Sequence, residues 1–265
     1  MKVLVIIPMY GQDQYTRNCI EMTQRNAGYN HDILVVDDGS KTPFTEKFDP
    51  IYGVDIMRLR QNTGFTNAVN QGILWAQHRD YDAVMLLNND TEPESNFLKE
   101  LVTCLESDST IGIAGSVRRH TNRDKECIEL CGSDLIRGYQ YFADEDKLPP
   151  HPIECNWIAF CSVIIRMDMI REIGLLDKRM KNHCSDTDYC FRAKINYWKV
   201  MFAPKSIVLH HLSVTTTANN ILVDDDQKIM LEKLAGLEYA KLMASMPLDG
   251  EAKTWGRLNF EIYQK

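Results

Sequence analysis

The sequence predicts an α/β fold, in which a mainly parallel sheet is flanked by helices and followed by a helical C-terminal tail. Two observations support it. Short apolar runs alternate four times with segments of helical pattern, which is typical of strand–helix–strand units. Each run also ends at a polar or glycine-containing loop. Because strand ends of this kind meet at one edge of a parallel sheet, we expect the four loops to lie together.

The four apolar runs are rich in Val, Leu and Ile, as in strands that are buried on both faces. They predict strands at residues 2–7, 33–36, 55–59 and 84–87, of which the third is the weakest. Helices are expected at 14–27, at 66–77 and from Pro93 onward, because proline is favoured in the first turn of a helix.

The second half of the chain has a less regular pattern. Strands are predicted at 111–117, 157–165, 200–202 and 207–209, and helices at 167–173 and 186–195. Residues 118–152 are polar and irregular, which indicates a long loop or small hairpin over the site. The tail from Asp224 to about Met246 has a helical apolar stripe and an acidic polar face. We expect it to pack on the body or on a partner subunit rather than to anchor in a membrane.

Composition narrows the classes of protein. The chain has 265 residues, of which 44% are hydrophobic, enough for one large domain or a domain with an appendage. A net charge of −7 without a basic block argues against nucleic acid as a partner. The first apolar run is too short for a signal peptide, and no stretch has transmembrane length. We therefore expect a cytoplasmic protein.

Eight cysteines are scattered among apolar neighbours without paired CxxC spacing. In a chain without a predicted signal they indicate reduced, mostly buried thiols. A zinc site at Cys127 and Cys131 is not favoured, because a second pair of ligands is missing.

The fourth predicted strand ends at Asn88-Asn89-Asp90, which carries a carboxylate to the edge of the sheet. An aspartate there is a hard oxygen donor that suits Mg²⁺ or Mn²⁺ and, through the metal, a diphosphate. The alternative is a polar turn that caps the next helix.

Two other segments in the first half of the chain have a functional and a structural interpretation. Asp38 could begin a turn at Gly39, or accept a hydrogen bond from a pyrimidine N3–H, with Pro8 and Tyr10 beside the base. Gly64 could belong to a hairpin-like turn, or let the backbone approach a ligand before a helix.

The remaining candidates lie in the second half of the chain. His210 could be a satisfied core histidine or a metal ligand. Asp186 and Asp188 could cap the start of a helix or serve chemistry. Each of these signals is weak when it is taken singly.

Taken together, the order and spacing of these motifs resemble the family-2 glycosyltransferases, over residues 2–217. The matching segments are residues 8–10, 36–40, 62–65, 70–72, 86–91, 173–177 and 186–192, and Ala203-Pro204 with His210. The Leu-Leu-Asn-Asn-Asp-Thr string and the Asn-x-Gly-Phe turn are most similar to the rhamnosyltransferase-type branch.

The resemblance implies the GT-A fold and an inverting transfer of sugar from a nucleotide-diphosphate sugar, with UDP or dTDP favoured and Mn²⁺ or Mg²⁺ as cofactor. The acceptor would be a hydroxyl of a glycan or glycolipid precursor, as in polysaccharide biosynthesis. It divides the chain into a transferase domain at 1–217 and a helical extension at 218–265. Within the domain, 1–117 would bind the donor and 118–217 the acceptor. Contact with a membrane would come only through the acceptor, and a homo-oligomer is left open.

The resemblance also implies residue roles. Asp38 corresponds to the carboxylate that reads the pyrimidine or ribose, Asp90 to the metal ligand, and Asp186 to the general base. His210, or its neighbour His211, would complete the metal or diphosphate site. The remaining positions expected to bind the nucleotide sugar are Pro8, Tyr10, Asn62, Gly64, Asn67 and Asn89.

Two departures from the family pattern matter. Asn88 and Asn89 leave a single carboxylate at the metal motif, and Ser185 stands where the family usually has Glu. Two alternative functions also remain. A nucleotidyltransferase would carry a glycine-rich, basic phosphate loop after the first strand, which residues 8–11 lack. A non-catalytic sugar-nucleotide binder would not need both Asp90 and Asp186.

Overall fold

The computed structural model describes residues 1–44, 53–122, 125–130, 141–142, 148–211, 224–234 and 236. One sheet runs through this part of the chain. Its strands are β1 (Val3–Met9), β2 (Asp32–Asp37), β3 (Val54–Arg58), β4 (Ala83–Leu87), β5 (Thr91–Pro93), β6 (Ile111–Asn122), β7 (Lys125–Leu130), β8 (Tyr141–Phe142), β9 (Ile153–Glu154), β10 (Ser162–Arg166) and β11 (Lys199–His210).

The sheet is mixed. Its main strand order is β3-β2-β1-β4-β10-β6-β11-β5. The first four strands of that order pair in parallel, as the repeated strand–helix pattern predicts. β10 then runs antiparallel to both β4 and β6, and β11 returns parallel to β6. The carboxyl ends of β1, β2 and β4 therefore open on the same edge, where the site is built.

Helices cover both faces of the sheet. They are α1 (Asp13–Asn26), α2 (Phe65–Gln77), α3 (Phe97–Glu106), α4 (Met167–Ile173), α5 (Ser185–Ile195) and α6 (Asp224–Leu234). No helix in the described ranges is long and apolar enough to cross a membrane.

The alternation of side chains along β1 divides the core into two layers. Leu4 and Ile6 pack into a cluster shared with α2, α4 and α5. Val3, Val5 and Ile7 point to the other face and pack with α1 and α3. Both faces of the strand are buried, which is why its sequence is a continuous apolar run.

The helix expected from Pro93 begins later. Thr91–Pro93 instead forms β5, which pairs antiparallel with the end of β11, and α3 starts at Phe97. Proline, which lacks an N–H donor, is tolerated there because β5 lies at the edge of the sheet. Asn96 takes a left-handed conformation (φ 64°) before the helix, and its N–H donates to the Asn26 carbonyl at 2.7 Å.

Two other strand predictions are corrected. The strands expected at 200–202 and 207–209 are one strand, β11, with a shift of register between Ala203 and Ile207, around Pro204. The strand expected at 157–165 is confined to β10, which starts at Ser162. Ile158 and Phe160 are apolar because their loop is buried in the core, not because they lie in a strand.

The hairpin interpretation of residues 118–152 holds for the described part, where β6 pairs antiparallel with β7. The helical tail is present as α6, whereas the predicted continuation over 237–246 lies outside the described residues. Within the described side chains, the cysteines at positions 19, 104, 155, 161, 184 and 190 are not joined in disulfides. The side chains of Cys127 and Cys131 lie outside the described part.

Candidate functional site

The predicted loops do gather at the carboxyl edge of the sheet. They form a cleft that also receives the loop before α5 and the end of β11. The residues that line it are Pro8, Met9, Tyr10, Asp38, Asn62, Gly64, Phe65, Ala68, Asn88, Asn89, Asp90, Asn182, His183 and His210. Eight of the sequence-predicted positions are thus brought together: 8, 10, 38, 62, 64, 89, 90 and 210.

Asp38 is buried and holds the turn that precedes α2. Its Oδ1 accepts hydrogen bonds from the Thr63 backbone N–H at 2.9 Å and the Thr63 hydroxyl at 2.7 Å. Its Oδ2 accepts from the Gly64 N–H at 2.8 Å. Burial raises the pKa of Asp38 above its ordinary value, against the opposing effect of these hydrogen bonds. The carboxylate fixes the backbone of the turn while its side chain lines the cleft.

Asn67 does not line this cleft. Its Nδ2 donates to the Thr63 hydroxyl at 2.8 Å, so it supports the turn from the first turn of α2.

Asp37 has a structural role beside this turn. It is buried, and its Oδ2 lies 2.6 Å from the Arg58 guanidinium. Its Oδ1 accepts the Ser40 N–H at 2.8 Å, and the Ser40 hydroxyl accepts the Gly11 N–H at 2.8 Å. These bonds connect the loops that follow β1 and β2. The two adjacent aspartates therefore have different roles. Asp37 connects the loops that follow β1 and β2, and Asp38 connects the loop after β2 to the turn before α2.

Gly64 occupies a position that only glycine fits. Its φ is +91°, and a Cβ there would lie 2.8 Å from the Lys181 carbonyl oxygen. The Lys181 carbonyl accepts the Thr66 N–H at 2.9 Å, and the Asn182 side chain accepts the Phe65 N–H at 3.2 Å. The start of α2 and the loop before α5 are thus in direct contact across the cleft.

Asp90 and His210 face each other in the cleft. His210 Nε2 lies 3.2 Å from Asp90 Oδ1, and both side chains are less than a tenth exposed. Asn89, beside Asp90, donates from Nδ2 to the Thr16 hydroxyl at 2.9 Å. His211 points elsewhere, with Nε2 2.9 Å from Glu92 Oε1. Of the two neighbouring histidines, His210 is therefore the one that lines the cleft.

The Asp90–His210 pair has the donor chemistry of a divalent-cation site. A carboxylate oxygen and an imidazole nitrogen both bind Mn²⁺, and Mg²⁺ sites use one or two carboxylates together with substrate phosphates. In the described ranges, no group of three or more His, Cys, Asp or Glu side chains forms a metal site. The two residues fit a cation that takes its other ligands from a bound diphosphate and water.

A second cavity adjoins the first and shares Phe65, Asn88, Asn182 and His210 with it. Its other lining residues are Arg118, Ala159, Phe160, Cys161, Ser185 and Asp186. Asp186 lies in the first turn of α5, where the helix dipole favours a negative charge. Burial raises the pKa of Asp186, while the Thr187 N–H and the positive charge of Arg118 oppose that rise. A carboxylate with a raised pKa in a cavity is suited to accept a proton.

Asp188 is fully buried away from both cavities. Its Oδ2 lies 3.1 Å from Arg192 Nε and its Oδ1 lies 2.7 Å from Lys233 Nζ. Asp188 and Arg192 lie one helical turn apart, at the i, i+4 spacing that brings side chains into contact. Two cations already compensate this carboxylate, so Asp186 is the acidic side chain of α5 that opens on the site.

Sequence reasoning missed several residues that line the cavities, among them Arg118, Phe160, Asn182 and His183. The last two stand just before Asp186 in a polar loop, and that proximity was the available signal. Arg118 lies within β6, and Phe160 lies in the buried loop before β10. Their place at the site depends on the strand order, in which β10 pairs between β4 and β6.

The chain matches a known protein family. The model described as glycosyl transferase family 2 matches residues 4–167, more than half of the chain. Two uncharacterised glycosyltransferases, of Rickettsia typhi and Rickettsia prowazekii, are each 26% identical. Their alignments cover 83% and 92% of this chain, and 68% and 76% of the relatives. An O-antigen biosynthesis protein of Myxococcus xanthus is 22% identical over 83% of this chain but only 18% of its own length.

Solved structures with a similar fold include GalNAc-T7 in complex with UDP, GalNAc and Mn²⁺. It has a TM-score of 0.62 and 17% identity, over 80% of this chain and 44% of that chain. Staphylococcus aureus TarS residues 1–349 with UDP-GlcNAc also has a TM-score of 0.62, with 13% identity over 97% of this chain and 70% of that chain. At this identity the likeness concerns the fold, and it confirms the predicted GT-A class.

Replacement of Asp38 by Asn tests whether its hydrogen bonds stabilise the turn. An amide group would turn one oxygen into a donor that faces a backbone N–H, so we expect a loss of about 1–3 kcal/mol in the free energy of unfolding. Urea denaturation measures it. Asp55→Asn, at an exposed position of β3, should stay within about 0.5 kcal/mol of wild type. Equal stability of the two variants would contradict this role for Asp38.

Proposed function

The chain belongs to glycosyl transferase family 2, and on that premise we propose that it is an inverting transferase that moves a sugar from a nucleotide-diphosphate sugar to a hydroxyl group. One observation carries the proposal: the cleft that holds Asp90 and His210 adjoins the cavity that holds Asp186. A donor bound through its diphosphate in the first can present its anomeric carbon to an acceptor in the second.

We assign the nucleotide to the part of the cleft formed by Pro8, Tyr10 and Asn62, with Asp38 beside them. Both oxygens of Asp38 already accept bonds from Thr63 and Gly64. The bond from the Thr63 hydroxyl is the one a ligand could replace without moving the backbone, because a hydroxyl group rotates freely. A pyrimidine N3–H could then donate to Asp38 Oδ1. This favours UDP or dTDP over a purine nucleotide.

The diphosphate is assigned to the part of the cleft at Asp90 and His210, which would hold Mn²⁺ or Mg²⁺. When bound, such a cation neutralises the charge that develops on the departing diphosphate. The Asn89 side chain, bonded to Thr16, keeps the backbone before Asp90 in place.

Asp186 is assigned as the general base. The acceptor oxygen would form its bond to the anomeric carbon while the bond from that carbon to the diphosphate breaks on the opposite side. The acceptor proton would pass to the Asp186 carboxylate. A single displacement of this kind inverts the anomeric configuration and needs no protein nucleophile. Arg118 shares the cavity with Asp186, and its positive charge favours the ionised, proton-accepting form.

We infer an acceptor from a glycan or glycolipid precursor in polysaccharide biosynthesis, in line with the O-antigen biosynthesis relative. The proposal includes a donor half at 1–117, an acceptor half at 118–217 and a helical extension at 218–265. It also includes a cytoplasmic site of action, with membrane contact only through the acceptor.

The test of the function is product analysis. The full chain is incubated with Mn²⁺, a panel of UDP- and dTDP-sugars, and octyl glycosides as acceptors. Nucleoside diphosphate release and glycoside extension are followed together, and the anomeric configuration of the product is read by NMR. Inverted, extended glycoside supports the proposal. Retention of the donor's configuration would overturn the single displacement, and binding without release would favour a non-catalytic binder.

Removal of the Asp90 carboxylate should abolish the metal-dependent part of donor binding. We expect Asp90→Ala to bind UDP equally with and without Mn²⁺, because the remaining protein ligand is one imidazole. Calorimetric titration of UDP measures this. Asp168→Ala, at an exposed position of α4, serves as the control and should behave like wild type. If Mn²⁺ still tightens UDP binding to the Asp90 variant as in wild type, the metal assignment is wrong.

A pyrimidine nucleotide should bind most tightly. We expect UDP or dTDP to show a lower dissociation constant than GDP in the presence of Mn²⁺, because Asp38 would accept a hydrogen bond from the single N3–H of a pyrimidine base. A thermal-shift screen followed by titration compares the three nucleotides. Tighter binding of GDP than of both pyrimidine nucleotides would contradict the donor assignment.

Asp186→Asn keeps the shape of the side chain and removes the base. We expect turnover to fall by about 10²–10⁴-fold, with UDP binding unchanged. The matched variant Asp188→Asn should instead lose stability, since it disturbs a buried carboxylate bonded to Arg192 and Lys233. Steady-state kinetics and urea denaturation on both variants separate the two effects. Near wild-type transfer by Asp186→Asn, with the loss in Asp188→Asn, would make Asp188 the base.

A further inference from the structure

The segment Lys181–Asn182–His183, here called the bridge loop, connects the two cavities. Asn182 lines both of them, and His183 lines the first, here called the donor cleft because the donor is assigned to it. Only Cys184 and Ser185 separate the loop from Asp186. The Lys181 carbonyl and the Asn182 side chain accept the backbone N–H groups of Thr66 and Phe65. The bridge loop therefore lies between the proposed base and the turn at Thr63 and Gly64, here called the donor turn.

The bridge loop has no regular secondary structure, so its backbone N–H groups need partners from elsewhere. They are supplied by one carboxylate on α6. Asp226 Oδ1 accepts the Lys181 N–H at 2.8 Å, and Oδ2 accepts the N–H groups of Asn182 and His183, each at 2.8 Å. Asp226 is only 4% exposed. Three donors on a buried carboxylate form a strong, specific contact, because charge-assisted hydrogen bonds are stronger than neutral ones.

The rest of α6 is anchored to the same region. Met230 packs against Met180 and Phe191 in a small apolar cluster. At the other end of the helix, Lys233 Nζ lies 2.7 Å from an oxygen of Asp177 and 2.7 Å from an oxygen of Asp188. The helix is thus held by packing in its middle and by the two ion pairs of Lys233 near its end. These contacts keep the Asp226 carboxylate in place.

We propose that Asp226 is a positioning residue for sugar transfer: it holds the bridge loop, and through that loop it sets the position of Asp186 relative to the donor. The inference rests on the proposed function, since it assigns Asp226 to the same reaction. It also gives α6 a role in the active site, although none of the described side chains of α6 lines either cavity.

A change at Asp226 should act on turnover more than on donor binding. In Asp226→Asn one oxygen becomes an NH₂ group that faces a backbone N–H, so the loop must move. A displacement of about 1 Å in a catalytic arrangement costs on the order of 10²-fold in rate. We therefore expect kcat to fall by about 10²-fold while KM for the donor changes much less.

The matched control lies one residue away. Asp225 is on the same helix, with a side chain that is 96% exposed and 3.8 Å from Lys228. Asp225→Asn makes the same chemical change outside the contact and should retain wild-type kcat. Asp226→Glu keeps both oxygens and should recover part of the activity lost in Asp226→Asn.

The experiment combines two readouts on the full chain, at a temperature where circular dichroism shows each variant folded. Hydrogen exchange of the backbone N–H groups of residues 181–183 should accelerate in Asp226→Asn and not in Asp225→Asn. kcat and donor KM are measured with the UDP- or dTDP-sugar and octyl glycoside that wild type uses best. If Asp226→Asn does not fold, Asp226→Ser, which leaves one oxygen for three donors, is examined by the same readouts.

The outcomes separate the claims. Unchanged exchange at 181–183 would show that Asp226 does not hold the bridge loop. Faster exchange with wild-type kcat would show that the loop does not position the base, and a loss confined to KM would assign it to donor binding. If wild type transfers no sugar, the proposed function fails, whereas the exchange data still decide whether Asp226 holds the loop.

Discussion

Irregular backbone at the edge of a sheet must find hydrogen-bond partners, and in this protein buried carboxylates supply them. Asp37 accepts the Ser40 N–H, Asp38 accepts those of Thr63 and Gly64, and Asp226 accepts three from residues 181–183. Each carboxylate is nearly inaccessible to water. Burial of a charge is costly unless it is compensated, so each contact favours one loop conformation strongly over others. The site depends on this constraint, because much of its lining comes from loops.

These contacts also connect the two halves of the site. Asp38 accepts hydrogen bonds from the donor turn, and the turn contacts the bridge loop through Gly64 and Thr66. Asp226 of α6 in turn accepts hydrogen bonds from the bridge loop. Ser185 adds a further contact, since its hydroxyl accepts the Thr66 hydroxyl at 2.9 Å at the start of α5. We therefore expect a displacement on either side to affect the helix that carries Asp186.

The elements that the sequence predicted well have local signals. β1 and β4 are buried on both faces and appear as continuous apolar runs, and the polar loops after them mark one edge of a parallel sheet. The sequence predicts too early a start for α3, because proline is equally compatible with the first turn of a helix and with an edge strand. Which of the two holds depends on pairing with β11, more than a hundred residues later. Asp226 was not identified as a site residue for the same reason: its partners lie 43 to 45 positions away.

Environment, not residue type, separates the two aspartates of α5. Asp188 lies against Arg192 and Lys233, which occupy its two oxygens. Asp186 meets a cavity on one side, and its principal hydrogen bond comes from its own neighbour, the Thr187 N–H at 2.7 Å. Burial without an ion pair raises its pKa, which increases its strength as a base, while the charge of Arg118 limits the rise. A carboxylate serves as a base only if it is buried enough to be basic and accessible enough to meet the acceptor, and of the two aspartates Asp186 meets both conditions.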